Sequence, residues 1–176
     1  RARGELNRDF DVLGHVTNVY LQAEAFYDTR YDGWARELYQ VGAWGKGYFG
    51  INAAGHVVVR PDTTPAREID LFEVVQGLRA RDLTTPVVVR FSDILAHRLR
   101  HLADAFAQAI AENEFGNAYA AVFPIKVNQQ RLVVEEVFRY GAEHGFGLEV
   151  GSKPELLAVM AMTEGAPDRV IVCNGF

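Results

Sequence analysis

The sequence has a single cysteine, Cys173, which rules out an intrachain disulfide framework and a thiolate metal cluster built from this chain. That usage fits a reducing compartment. No run of about 18 apolar residues occurs, so no stretch is long enough to form a hydrophobic membrane-spanning helix. No basic-then-apolar leader opens the chain, and the expectation is a cytoplasmic protein with no membrane partner. Basic charge is in deficit: 18 Lys and Arg stand against 23 Asp and Glu, giving a formal net charge of -5 and a pI near 5.5. The broad positive field of a nucleic-acid binder is therefore missing. What is present is a 49% hydrophobic sequence of 176 residues, enough to bury a sizeable core. It starts at Arg1 and stops just past the apolar run "RVIVC", as expected of part of a longer protein.

Residues 1–32 show weak periodicity and form an unassigned N-terminal segment. Residues 33–85 hold two β-rich runs, "YFGIN" and "HVVVRP", joined by the short Gly-containing turn "AAG", which predicts a β-hairpin. A proline-bearing loop follows. Ile69, Phe72, Val75 and Leu78 then fall at helical spacing and predict a short amphipathic helix.

Residues 86–176 repeat a strand-then-helix unit. "PVVVRF" predicts a strand, and Ser92 and Asp93 are good N-cap residues for a helix with Ile94, Leu95, Leu99, Leu102, Phe106 and Ile110 on one face. "YAAVFPIKVN" and "QRLVVEEVFRYGAEHG" make the next unit, "FGLEV" and "SKPELLAVMAMTEG" another, and "RVIVCN" begins a further one. Apolar β-runs that do not alternate, each separated by one helix, imply parallel strands covered by helices. The spacing suits either an open doubly wound sheet or an incomplete (β/α)8 barrel.

In both folds functional groups gather at the carboxyl ends of strands. Lys126 lies near such an end, an ammonium set in an apolar run and followed by the amides Asn128, Gln129 and Gln130. The next strand ends in Glu149, Gly151 and Ser152, and the one after in Asn174 and Gly175. A strand-end lysine ordinarily snorkels its head to water. The functional alternative is a nucleophilic amine able to form a Schiff base, held or oriented by a neighbouring carboxylate such as Glu149. Ser152 and Glu155 make an S-x-x-E capping pattern with Pro154 in the first turn, so Ser152 reads first as a helix cap.

"GYFGINAAGHVVVRP", "REIDLFEVVQGLRARDL", "FPIKVNQQRLVVEEV", "FGLEVGSKPELLAVMA" and "VIVCNGF" resemble the N-terminal part of the biosynthetic arginine decarboxylases. These are pyridoxal-phosphate enzymes of fold type III, the alanine-racemase-like type. The resemblance spans roughly residues 34–176, and "PIKVNQQ" and "LEVGSKPEL" are its most specific stretches. It implies a partial (β/α)8 barrel, with the hairpin belonging to a separate β-rich domain. It also implies that Lys126 carries pyridoxal 5'-phosphate as a Schiff base, that Glu149 is a second catalytic residue beside the cofactor, and that Ser152 and Asn174 contact the cofactor. The implied reaction is decarboxylation of L-arginine to agmatine in polyamine and spermidine biosynthesis, by a homo-oligomer, dimer or tetramer, with Mg2+ as an accessory ion. The phosphate loop, the partner of the pyridine nitrogen and the carboxylates facing the guanidinium would all lie after Phe176, so this chain alone should be inactive. The readings from other classes are a non-catalytic cofactor- or small-ligand-binding α/β domain and a decarboxylase of another basic amino acid.

Other signals carry less. "GKG" at 45–47 lacks the first glycine and the Ser or Thr of a phosphate loop and reads as a turn. His97 and His101 stand four apart without an H-E-x-x-H pattern, and no metal site is assigned. Phe49, Phe72, Phe91, Phe106, Phe123 and Cys173 are expected in the core.

Overall fold

The computed structural model describes residues 10–11, 16–17 and 36–175. Most of the unassigned segment 1–32 lies outside the described residues; within it Phe10–Asp11 (β1) pairs antiparallel with Val16–Thr17 (β2). The chain divides into two compact units, Arg1–Phe91 and Ser92–Phe176.

In the first unit, a five-residue helix, α1 (Val41–Gly45), precedes a three-stranded antiparallel sheet of β3 (Phe49–Ile51), β4 (Val57–Val59) and β5 (Ile69–Asp70). The β3–β4 turn is built by Asn52, whose side-chain oxygen accepts from the backbone N–H of Ala54 and His56, while Gly55 takes the positive φ of 79°. Val58 and Val59 are wholly buried in the central strand, and Ile51, Tyr48 and Val75 are buried as well. The helix α2 (Leu71–Arg79) starts two residues later than the Ile69 periodicity predicts. Asp70 is the reason: its carboxylate accepts from the N–H of Phe72 and Glu73 and so ends β5 and caps α2 in one residue. Phe72 is exposed rather than in the core, its ring tilted against that of His56 with centroids 4.5 Å apart.

The second unit runs α3 (Ser92–Glu112), β6 (Val122–Pro124), a 3-10 turn (Ile125–Val127), α4 (Arg131–Tyr140), β7 (Gly147–Val150), α5 (Lys153–Met162) and β8 (Ile171–Cys173). The three strands are parallel in the order β6-β7-β8, with Phe123 opposite Leu148 and Leu148 opposite Ile171. All four residues of β7 are buried. Leu148 and Val150, two apart and hence on one face of the strand, pack in one cluster with Val134 of α4 and Val159 of α5. Each such buried aliphatic side chain contributes about 1.5–3 kcal/mol. Both helices thus share a cluster on the Leu148–Val150 face, and Glu149 projects from the opposite one.

Three expectations are corrected. "PVVVRF" forms no strand; it makes one isolated bridge at Val88, which is 58% exposed and lacks the two-sided cover that a continuous apolar strand needs. On α3 only Leu99 is buried, while Leu102 and Phe106 are 41% and 42% exposed. Phe106 finds its cover by stacking face to face on Tyr119 at 3.8 Å. Cys173 is exposed, because β8 has a neighbour on one side only among the described residues.

Candidate active site

Successive parallel strands end side by side, so the residues following them become neighbours although far apart in sequence. β6 ends at Pro124, opposite Glu149, and the backbone folds at once into the 3-10 turn that carries Lys126. Lys126 Nζ donates to Glu149 Oε1 at 3.2 Å. From just beyond β8, Asn174 Nδ2 donates to the same oxygen at 3.3 Å, and its backbone N–H holds the carbonyl of Val150 at 2.8 Å. The Glu149 side chain is 10% exposed and that of Lys126 52%. A carboxylate taken that far out of water must be paired, and two strand ends supply its partners. Lys126 therefore does not simply trail into solvent: half of it is covered, and its amine is aimed by Glu149.

Glycines keep the floor of the site open. A Cβ at Gly151 would stand 3.2 Å from the carbonyl oxygen of Asn174 and 4.0 Å from Cδ of Lys126, so the bare backbone leaves a notch beside the lysine stem. Gly175, at φ 131°, lies against the carbonyl of Gly151 in a conformation that side-chain-bearing residues rarely adopt.

Of the four candidate residues, Lys126, Glu149 and Asn174 come together. Ser152 is used elsewhere: it is the N-cap of α5, accepting from the Glu155 N–H at 3.4 Å. Asn128 accepts from the Gln130 N–H and turns the chain into α4, while Gln129 donates to Glu155 Oε1 at 2.7 Å. Glu155 was legible only as the fourth residue of a capping pattern. Its carboxylate in fact reaches the N–H of Gly151, at 2.6 Å, as well as Gln129. A cleft of about 670 Å³ opens elsewhere, between α4 and α5, lined by Ile125, Gln129, Val134, Glu155 and Met162 among others, and neither Lys126 nor Glu149 lines it.

The chain is similar to known proteins over the segment that carries these residues. Residues 99–176 match the family model described as pyridoxal-dependent decarboxylase, pyridoxal binding domain. Over 142 residues the chain is 49% identical to the biosynthetic arginine decarboxylase of Thermosynechococcus vestitus, covering 81% of this chain and 22% of that protein. It is a homologue of the biosynthetic arginine decarboxylases. The enzyme of that name from Gloeobacter violaceus is 50% identical over 140 residues, with 80% of this chain and 22% of that protein covered. The crystal structure of the biosynthetic arginine decarboxylase SpeA from Campylobacter jejuni superimposes with a TM-score of 0.68 at 32% identity, over 78% of this chain and 22% of that one. The mixed α/β architecture is thus that of the pyridoxal-dependent, alanine-racemase-like enzymes. The chain spans about a fifth of the length of the relatives it matches.

Set against pyridoxal phosphate, the donor set fits. The cofactor's aldehyde requires a primary amine, and Lys126 offers one beside a buried carboxylate that orients it and a glycine notch that leaves room. Among the described residues no group of three or more His, Cys, Asp or Glu could hold a metal ion. His97 and His101 stand with ring centroids 6.4 Å apart on α3. Among the same residues no helix is long and apolar enough to cross a membrane.

Proposed function

We propose that this chain contributes the lysine-bearing segment of a pyridoxal-phosphate-dependent decarboxylase that converts L-arginine to agmatine and carbon dioxide, in polyamine and spermidine biosynthesis. The observation that carries the reading is Lys126 Nζ on Glu149 Oε1, at the ends of adjacent parallel strands within the segment that matches the pyridoxal-binding family. Pyridoxal phosphate, when bound, supplies an electron sink for the pair left behind as the carboxylate departs. Lys126 is the residue to hold it covalently. Glu149 orients the Lys126 amine through Oε1, and Asn174 fixes that oxygen from the far side. Asn174 is thus a positioning residue that reaches the reaction through Glu149, and Ser152 serves by starting α5 at the rim.

The parallel β6-β7-β8 order with α4 and α5 in one cluster is what consecutive barrel units give, and the likeness to the pyridoxal-dependent enzymes favours the barrel over a doubly wound sheet. On this reading residues 86–176 begin the (β/α)8 barrel, and 33–85 carry the hairpin of a β-rich domain. The complete enzyme is a cytoplasmic homo-oligomer, and the isolated 176-residue chain is without turnover.

The test is borohydride reduction of the cofactor-loaded full-length protein followed by peptide mapping. Label on Lys126 is expected, with agmatine as product from arginine. Label confined to Lys46 or Lys153 would refute the assignment. Product from ornithine or diaminopimelate but not from arginine would move the substrate, and cofactor binding with no carbon dioxide from any of them would leave a binding domain.

A further inference from the structure

We propose that Glu155, together with Gln129, is a positioning residue that sets the approach of Lys126 to Glu149; the inference rests on the cofactor reading above. Lys126 and Glu149 lie on different segments, and Lys126 leaves its strand before it reaches Glu149. The last register pair is Pro124 opposite Glu149, so Lys126 itself lies beyond the paired residues. One carboxylate bridges the two segments beyond that point. Glu155 Oε1 accepts from Gln129 Nε2 at 2.7 Å, three residues past Lys126, and Oε2 accepts from the Gly151 N–H at 2.6 Å, two residues past Glu149. Gly151 is also where an added Cβ would come within 4.0 Å of the lysine stem. Both bonds involve an ionised acceptor and are stronger than neutral ones.

A purely helical role would look different. In a capping box the fourth residue returns to the N–H of the cap itself, here Ser152. The bond instead goes one residue further out, to Gly151, and the second oxygen goes to another β-α unit. Ser152 already caps the helix through its own hydroxyl. What Glu155 adds is a clip between the loop after β6 and the loop after β7.

The clip has a directional chemistry that can be reversed. With Gln129→Glu alone, two carboxylates face each other and the bridge opens. With Gln129→Glu and Glu155→Gln together, the amide at 155 accepts from the Gly151 N–H and donates to the carboxylate at 129, so the bridge is restored.

The experiment follows capture of pyridoxal phosphate by the full-length apoprotein, read as growth of Schiff-base absorbance and as borohydride-trapped label on Lys126. Misplacement of a reacting group by about 1 Å costs up to roughly a hundredfold, so Glu155→Ala and Gln129→Glu should each slow capture by about ten- to a hundredfold. The exchanged pair should return to within about threefold of the unaltered rate, an interaction between neighbours rather than additivity. If the exchanged pair is as slow as the product of the single changes, the inference is overturned, and so it is if Gln129→Glu captures at the unaltered rate. If the unaltered protein carries no label on Lys126, the cofactor reading itself falls and takes this inference with it, a result distinct from a labelled lysine with no coupling.

Discussion

Asn174 donates to the same oxygen of Glu149 that receives Lys126, so one buried carboxylate oxygen ties three strand ends together. Removing the amide leaves Glu149 with Lys126 alone. Asn174→Ala in the full-length protein should lower kcat/KM for arginine by about tenfold, and Glu149→Ala, which frees Lys126 entirely, by about a hundredfold. Steady-state rates with matched cofactor occupancy would check both, and equal effects of the two changes would contradict the order of dependence.

Asp70 makes a pH-dependent contribution to the first unit. Burial pushes its carboxyl up, but hydrogen bonds from His56, the Glu73 N–H, Asn52 and the Phe72 N–H outweigh that and hold it below its ordinary 3.8. A carboxyl depressed in the folded state stabilises fully above its unfolded value, near pH 4, and the contribution disappears as pH falls through the lower folded value. Asp70→Asn should therefore flatten the acid limb of stability below about pH 4. Asp70→Ala should cost about 1–2 kcal/mol near neutrality through the lost cap. Urea unfolding across pH reads both.

Two glycines give opposite forecasts for the same substitution. At Gly147 a Cβ would stand 2.2 Å from the backbone oxygen of Val170, which accepts the adjacent Leu148 N–H, so neither strand can yield. Gly147→Ala should destabilise by more than about 3 kcal/mol. Gly77, inside α2, has nothing within 4 Å of where a Cβ would sit and should gain about 0.5–1 kcal/mol on change to Ala. Thermal melts would separate them.

Arg169 closes the far end of the second unit. Its guanidinium donates to the Phe146 carbonyl at 2.9 Å and, more loosely, to Gly141 and Phe138, while lying 5.0 Å over the Phe138 ring. Arg169→Ala should cost about 1–3 kcal/mol, chiefly by taking the donor from the Phe146 carbonyl, since the Gly141 carbonyl keeps the N–H groups of His144 and Phe146. Arg169→Lys should recover little of it, since an ammonium cannot reproduce the planar fork. Denaturant midpoints of the two variants test the difference.

Much of this arrangement was legible in the residues. The strand-then-helix rhythm of 122–173 is a period-and-punctuation signal, and the strand ends at Lys126, Glu149 and Asn174 followed from it. What was not legible depends on neighbours rather than on local pattern. "PVVVRF" has the composition of a strand but no partner beyond one bridge at Val88. Phe106 sits at core spacing, yet it stacks on Tyr119 at the surface. Cys173 reads as core because its strand is apolar, and is exposed because that strand lies at an edge among the described residues. Glu155 advertised a helix cap, and its second oxygen found a partner in another unit that no spacing within one helix could reveal.

Parallel pairing also fixes a chronology. A ribosome releases Lys126 before Glu149 and Glu149 before Asn174, the same order in which their strands lie side by side. A chain cut after α5 would lack Asn174 and so one of the two side-chain donors to Glu149. Docking of β8 brings Asn174 and gives that carboxylate its second donor. The third strand thus reaches the amine indirectly, by securing through Asn174 the carboxylate that holds it.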